Sequence, residues 1–502
     1  MPDHNHLIKE LRDATDGRAD EIFAYLPDGA TVRFGDLFEG AGRMAAALIA
    51  CGSKPGDRVA VQVAKTIEAI QLYLGTVMAG GVFLPLNTAY TGPEVAYFLK
   101  DATPRVVVCD PGRLDEVRGI AGSAEVLTLD SSGHGTLRDL ADAQEPANPL
   151  PRAADDLAAI LYTSGTTGRS KGAMLSHANL ASNSATLRDY WRFTADDVLI
   201  HALPIFHTHG LFVATNVALL AGAQVVFLPG FDSDAILEAM PRATALMGVP
   251  TFYTRLLADP RLTRERAANM RLFISGSAPL LVDTHEQWEA RTGHRILERY
   301  GMTETNMSTS NPYEGERRAG TVGFPLPGVE ARVMLDGAEV PTGEIGVLEV
   351  RGPNVFKGYW QMPEKTAEEL RPDGWFITGD LAKVDADGYV TIVGREKDLI
   401  ITGGFNVYPK EIEGLIDDLP GVSESAVIGV PHPDFGEGVV AVVVPADDSI
   451  TPEAITGALE GQLAKFKQPK RIIMLDALPR NTMGKVQKKA LREDYAGLFA
   501  HG

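Results

Sequence analysis

Residues 162–172 read Y-T-S-G-T-T-G-R-S-K-G. Thr163, Ser164, Thr166, Thr167 and Ser170 bring hydroxyls, Gly165 and Gly168 let the backbone come close, and Arg169 and Lys171 bring positive charge. Such a loop suits a polyphosphate, because amide N–H groups, hydroxyls and cations can converge on it. It is not a Walker A loop, since Lys171 is followed by Gly172 rather than Ser or Thr. By composition alone a Ser/Thr/Gly string is an ordinary surface loop, so other motifs must decide.

Five more stretches carry chemistry. Leu272–Ala278 reads as a strand ending in the small residues Gly276, Ser277 and Ala278, as expected where a backbone edge meets a flat ligand. Ile296–Glu304 reads I-L-E-R-Y-G-M-T-E, with an aromatic face able to stack on a purine and a hard carboxylate oxygen suited to Mg²⁺. Thr378-Gly-Asp380 is followed by Gly394-Arg-Glu-Lys-Asp398, and Pro479–Val486 reads P-R-N-T-M-G-K-V. Taken singly, T-G-D is a turn and Lys485 a solvated charge.

In this order the motifs resemble those of the adenylate-forming superfamily, which includes acyl-CoA synthetases, peptide-synthetase adenylation domains and luciferases. The resemblance covers essentially the whole chain. It implies that Thr163 to Gly168 and Lys171 bind the phosphates of ATP. It also implies nucleotide contacts from Gly276, Ser277, Ala278, Glu298, Gly301 and Met302, with Tyr300 against the adenine face. Thr303 would meet the α-phosphate, Glu304 Mg²⁺, and Asp380 the ribose hydroxyls, with Arg395 helping to hold the nucleotide. Lys485 would be the catalytic lysine and Lys397 a hinge, while Gly403, Gly404 and Phe405 would border the tunnel for coenzyme A. The implied reaction has two steps: a carboxylate attacks the α-phosphate of ATP to give an acyl-adenylate and pyrophosphate, then CoA thiolate displaces AMP.

The elements that must position these residues follow from periodicity. Residues 1–155 alternate helical and strand-like segments, among them Arg58–Val63, Thr66–Met78 and Arg105–Cys109, which predicts an α/β layer with parallel strands. The polar stretch 131–155 is expected to run over the surface. Residues 320–395 read as an all-β subdomain. The expected fold is therefore α/β: a large N-terminal domain, 1–396, of two α/β layers plus a β subdomain, and a small mobile α+β C-terminal domain, 397–502.

The 502 residues carry a formal net charge of −19, which argues against nucleic acid or anionic membrane as partner. Cys51 and Cys109 are too few for a disulfide framework. With no signal-like apolar segment at the N-terminus and no apolar run of about 18 residues, a cytoplasmic protein is expected.

The acid is read from the pocket. His207 and His209 stand two apart, without a third ligand at metal spacing. Arg255 and Arg299 lie beside expected pocket elements, and a guanidinium there is costly unless it meets an anion. The strings F-Y-T-R-L, S-G-S-A-P-L and E-R-Y-G-M-T-E resemble those of malonyl-CoA synthetases. That resemblance implies that Arg255, Ser277 and Arg299 hold a distal carboxylate with His207 nearby, and that malonate is the substrate, with methylmalonate slower. A synthetase for another short mono- or dicarboxylic acid, a luciferase-type oxygenase and a non-catalytic nucleotide-binding regulator are the alternatives; a carrier-linked adenylation domain is disfavoured. The string around Lys485 also resembles a site of lysine acetylation in bacterial acyl-CoA synthetases, which implies an acetyltransferase and deacetylase as partners.

Overall fold

The computed structural model describes residues 3–163, 170–403, 405–447, 449–460, 462–481 and 485–500. The contacts expected of Ser164, Gly165, Thr166, Thr167, Gly168 and Gly404 lie outside the described residues.

Two sheets and the helices between them form the large N-terminal part. In the six-stranded sheet, Glu125–Thr128, Val106–Cys109, Arg58–Gln62, Val82–Pro85 and Leu157–Thr163 run parallel, and Lys171–Ser176 closes the edge antiparallel. The central strands are apolar without alternation because helices cover both faces. The helix Ile67–Met78, capped by the Thr66 side chain on the Ala69 N–H, is buried along nearly its whole length. It packs on Phe34–Ala50 so closely that a Cβ on Gly75 would stand 2.7 Å from the Ala41 carbonyl oxygen.

The nine-stranded sheet carries most of the site. Val198–His201, Ala245–Gly248, Leu272–Ser275 and Leu297–Met302 lie side by side and parallel, and Asn306–Ser310 folds back antiparallel. Their carboxyl ends open on one edge, the usual position of a ligand crevice in α/β sheets. The β subdomain is a five-stranded antiparallel sheet that includes Gly346–Arg351, Phe376–Val384 and Val390–Arg395.

From residue 400 a separate sheet forms around the long hairpin Val422–His432/Gly436–Pro445, flanked by the helices Pro409–Asp417, Pro452–Leu459 and Lys488–Asp494. Each sheet face has its own apolar core, centred on Ile412, Val427 and Val443 on one side and on Ile428, Val440 and Leu491 on the other. Among the described residues no helix is long and apolar enough to cross a membrane.

Two local expectations change. The stretch expected to be surface coil contains the helix Thr136–Asp142, whose Leu137 and Ala141 are buried against Phe34–Ala50. Lys171, read as part of a loop, instead opens an edge strand paired with Thr163.

Candidate active site

The Y-G-x-T-E string is a β-hairpin. Tyr300 lies on the outgoing strand, Thr303 and Glu304 occupy the turn, and Asn306 returns with φ 49°. Gly301 is required because a Cβ there would stand 1.7 Å from the Asn306 carbonyl oxygen. The turn is pinned by Asn354, which donates to the Thr305 carbonyl at 2.7 Å, and by Thr208, which donates to Asn306 Oδ1 at 2.6 Å.

Across the cleft, Asp380 and Arg395 are direct partners in the β subdomain. Arg395 Nε lies 2.6 Å from Asp380 Oδ1, and the Tyr300 hydroxyl donates to Oδ2 at 2.5 Å. Three residues taken from distant motifs thus converge, with Asp380 only 3% exposed. Burial pushes the Asp380 carboxyl upward, against the pull of Arg395.

Glu304 is 4% exposed and accepts a hydrogen bond from the Tyr359 hydroxyl at 2.9 Å. Burial raises its pKa, the condition of a carboxylate that a cation would relieve. Among the described residues no group of three or more acidic, His or Cys side chains could hold a metal. Glu304 therefore fits Mg²⁺ that draws its other oxygens from phosphates and water, as Mg²⁺ commonly does.

A second cluster gathers at the end of Leu272–Ser275 and on its parallel neighbour Leu297–Met302. Arg299 is 3% exposed, and its Nε and Nη2 have no hydrogen-bond partner. Burial pushes its guanidinium down to about 9. Gly276 makes the room: a Cβ on it would stand 2.4 Å from the Arg299 Cζ. Next to it Ser277 is held at φ 70°, a conformation costly for a residue with a side chain, and its Oγ lies 3.3 Å from His209 Nδ1. His209 Nε2 is buried without a partner. His207 Nδ1 accepts the His209 backbone N–H at 3.3 Å, so any ring proton of neutral His207 sits on Nε2. Burial, then the charges of Lys485 and Arg299, hold His207 down to about 3. His207 leads directly into the segment His209–Thr215, wound as a π-helix, a form common at functional sites. Arg255 differs from Arg299 in burial: it is exposed on the last turn of Pro250–Leu257, its guanidinium 5.3 Å from the Phe231 ring.

Lys485 reaches this centre from the C-terminal unit. It is solvent-accessible in the open cleft, yet its pKa is lowered by desolvation and then by Arg395, and it feels Asp380, Glu304 and Arg299. Its loop is closed by Asn481: the Lys485 N–H donates to Asn481 Oδ1 and the Asn481 N–H to the Lys485 carbonyl, each at 2.9 Å. Lys397 lies on the exposed connection, drawn down to about 8 by desolvation and then by Arg395. Phe405 is 55% exposed and stacks on Phe466 beside Gly403 on the same unit. Glu298 is buried inside the sheet, raised by desolvation to about 8; Met302 and Ala278 border the cleft, half-buried and exposed.

Comparison with known proteins fits this geometry. A model of the AMP-binding enzyme family matches residues 11–360, and one of the AMP-binding enzyme C-terminal domain matches residues 411–485. The chain belongs to the AMP-binding enzyme family. Asp380, Arg395 and Lys397 fall between the two matched family segments. The fold matches the crystal structure of ATP-bound MatB from Rhodopseudomonas palustris with TM-score 0.97 and 61% identity, over 99% of this chain and 100% of that one. Among curated family members, malonate–CoA ligase of Arabidopsis thaliana is 36% identical over 88% of this chain and 78% of its own length. Feruloyl-CoA synthase of Amycolatopsis sp. is 37% identical over 93% of this chain and 94% of its own.

Three residues at the site escape the sequence reading. His209 reads there as one of two loop histidines without a third ligand at metal spacing, with no role toward the acid. Tyr359 and Glu369 carry no local signal, since their meeting with Glu304 and Lys171 is purely spatial.

Proposed function

We propose that the protein ligates malonate to CoA through malonyl-AMP, giving malonyl-CoA, AMP and pyrophosphate. The buried, unpartnered Arg299 carries the choice of acid. Likeness to MatB, at 61% identity over 99% of this chain, supports malonate, whereas the curated relatives alone do not make that choice, because a malonate ligase and a feruloyl ligase are nearly equally similar. A feruloyl side chain would leave a desolvated guanidinium facing an aromatic ring. A second carboxylate would receive hydrogen bonds from Arg299, the ring proton of His209 or His207, and Ser277. Arg255, on the rim, would contribute through longer-range charge alone.

The reacting carboxylate is ionised at neutral pH and needs no base. The chain's work is alignment and charge stabilisation. Tyr300 offers its face to the adenine. Asp380, already bonded to Tyr300 and Arg395, accepts from the ribose hydroxyls with its remaining lone pairs. Lys171 and Thr163 face the polyphosphate, Thr303 the α-phosphate. Glu304 would hold Mg²⁺, which supplies charge neutralisation on the phosphates. Lys485 brings a mobile cation to the bridging oxygens during adenylation. Rotation about Lys397 would then withdraw it and bring Gly403 and Phe405 to the pantetheine path. Acetylation of Lys485 would remove the charge that adenylation needs. Two free thiols, Cys51 and Cys109, suit a reducing cytoplasm.

The test is CoA-dependent AMP release with acetate, propionate, butyrate, malonate, methylmalonate and succinate. Preference for malonate, with methylmalonate slower, is expected. Preference for a monocarboxylate would keep the ligase and discard the Arg299 assignment; no AMP with any acid would favour a nucleotide-binding regulator.

A further inference from the structure

Lys171 does not face open solvent. Its Nζ lies 3.1 Å from both carboxylate oxygens of Glu369 and 4.1 Å from the centre of the Tyr359 ring. Lys171 and Glu369 are 198 residues apart in sequence. Their meeting is fixed by backbone hydrogen bonds that zip the edge strand onto residues 357–360. Met174 N–H donates to the Gly358 carbonyl at 3.0 Å, and the Lys357 and Trp360 N–H groups donate to the Met174 and Gly172 carbonyls at 2.8 Å. Glu369 is the last residue of the helix Pro363–Glu369. The Tyr359 hydroxyl, whose one proton is shared between this carboxylate and Glu304, lies 2.5 Å away, and Lys365 Nζ lies at 2.9 Å. Lys171 and Glu369 are 20% and 22% exposed, so the pair is neither loosely solvated nor sealed off.

An ammonium gripped by both oxygens of one carboxylate has most of its charge neutralised. A polyphosphate arriving at the neighbouring loop must compete with that carboxylate. We propose that Glu369 is a positioning residue that holds Lys171 and competes with the β- and γ-phosphates of ATP for it. The inference rests on the reading that Lys171 meets the polyphosphate. AMP and an acyl-adenylate lack those phosphates and leave the pair intact. Once pyrophosphate forms, Glu369 offers Lys171 a place to return to, which weakens the hold on the leaving group.

The experiment is calorimetric binding of a non-hydrolysable ATP analogue and of AMP to wild type, Glu369→Gln, Lys171→Ala and the double variant, at fixed Mg²⁺ and salt. Glu369→Gln keeps the Tyr359 hydrogen bond and removes the competing charge. It should tighten the ATP analogue about two- to fivefold, the range of a partly exposed ion pair, and leave AMP within about 1.5-fold. In the Lys171→Ala background the gain should vanish, because the two residues act through one contact. Glu369→Asp, which keeps the charge, should show less than the Gln gain, so the result does not hang on one variant. Weaker analogue binding by Glu369→Gln, an equal shift for AMP, or a gain that survives Lys171→Ala would each overturn the proposal. If Lys171→Ala leaves analogue affinity unchanged, the polyphosphate reading of Lys171 itself falls.

Discussion

Gly276 follows the strand Leu272–Ser275 and Arg299 lies within its parallel neighbour Leu297–Met302, and the backbone of one is the floor under the guanidinium of the other. A methyl group on Gly276 would lie 2.4 Å from Arg299 Nη1, inside any real contact distance. The proposed pocket for a second carboxylate thus depends on the smallest residue as much as on the charged one. Gly276→Ala should raise the KM for malonate at least about tenfold by displacing the guanidinium, on the scale of one lost charge-assisted hydrogen bond. ATP–pyrophosphate exchange across malonate concentrations would show it; an unchanged KM would mean that Arg299 does not touch the acid.

Arg299 and Arg255 make opposite predictions from the same residue type. Arg299→Ala removes a buried donor pair and should lower kcat/KM for malonate by about 10²-fold, about 2.7 kcal/mol, while sparing AMP affinity. Arg255→Ala removes an exposed cation and should cost less than about fivefold, with the loss shrinking in high salt. Parallel kinetics at two ionic strengths separate the two, and equal losses would put Arg255 inside the pocket.

These contrasts bear on what the sequence could tell. Strand and helix periodicity placed the α/β layers, and Thr66 or Gly301 can be read as a cap and a tight hairpin because their chemistry is local. The strings Y-T-S-G-T-T-G-R-S-K-G, Y-G-x-T-E, T-G-D and P-R-N-T-M-G-K are legible as ordered motifs of the family. Arg255 and Arg299 were not separable, since burial is set by sheet position: one ends a surface helix turn, the other lies within a central strand. The Tyr300–Asp380 bond, the Tyr359 bridge and the Glu369 partner of Lys171 join residues from different subdomains, and no spacing rule encodes them. Residues 136–142 were missed because a short helix with two buried residues offers too few turns to show a period.

Acid stability gives a prediction outside the site. His177 is fully buried, its Nδ1 accepts the Leu7 N–H at 3.3 Å, and burial, then the charge of Arg152, hold it down to about 3. The folded state thus keeps the ring neutral where the unfolded chain, near 6.5, takes up a proton. The sign follows: this contribution is complete above about pH 6.5 and is lost as pH falls toward 3. Between about pH 7 and 5 it amounts to about 2 kcal/mol. His177→Gln should flatten that part of the pH–stability curve measured by urea unfolding, even if it lowers stability at neutral pH. An unchanged slope would show that His177 is not the group responsible.

The last prediction concerns how Lys485 is delivered. The helix that follows its loop, Lys488–Asp494, is tied at two points to the start of the C-terminal unit. Arg492 Nη1 lies 2.8 Å from Asp398 Oδ1, next to the proposed hinge at Lys397, and Lys488 Nζ lies 2.5 Å from the buried Glu413. Glu413 is held down to about 2 by Lys488 and Lys410 against its own desolvation, so that anchor is a satisfied buried charge. The Arg492–Asp398 pair is the more adjustable tie, because both partners keep some solvent contact. Arg492→Ala should therefore loosen the Lys485 loop relative to the hinge without unfolding the unit. Malonyl-AMP formation, read as pyrophosphate exchange, should fall about three- to tenfold. Thioester formation from supplied malonyl-AMP does not use Lys485 and should change less than about twofold. Lys485→Ala should show the same asymmetry with a larger first loss. Equal damage to both half-reactions by Arg492→Ala would mean that the pair sets the hinge itself and not the placement of the lysine.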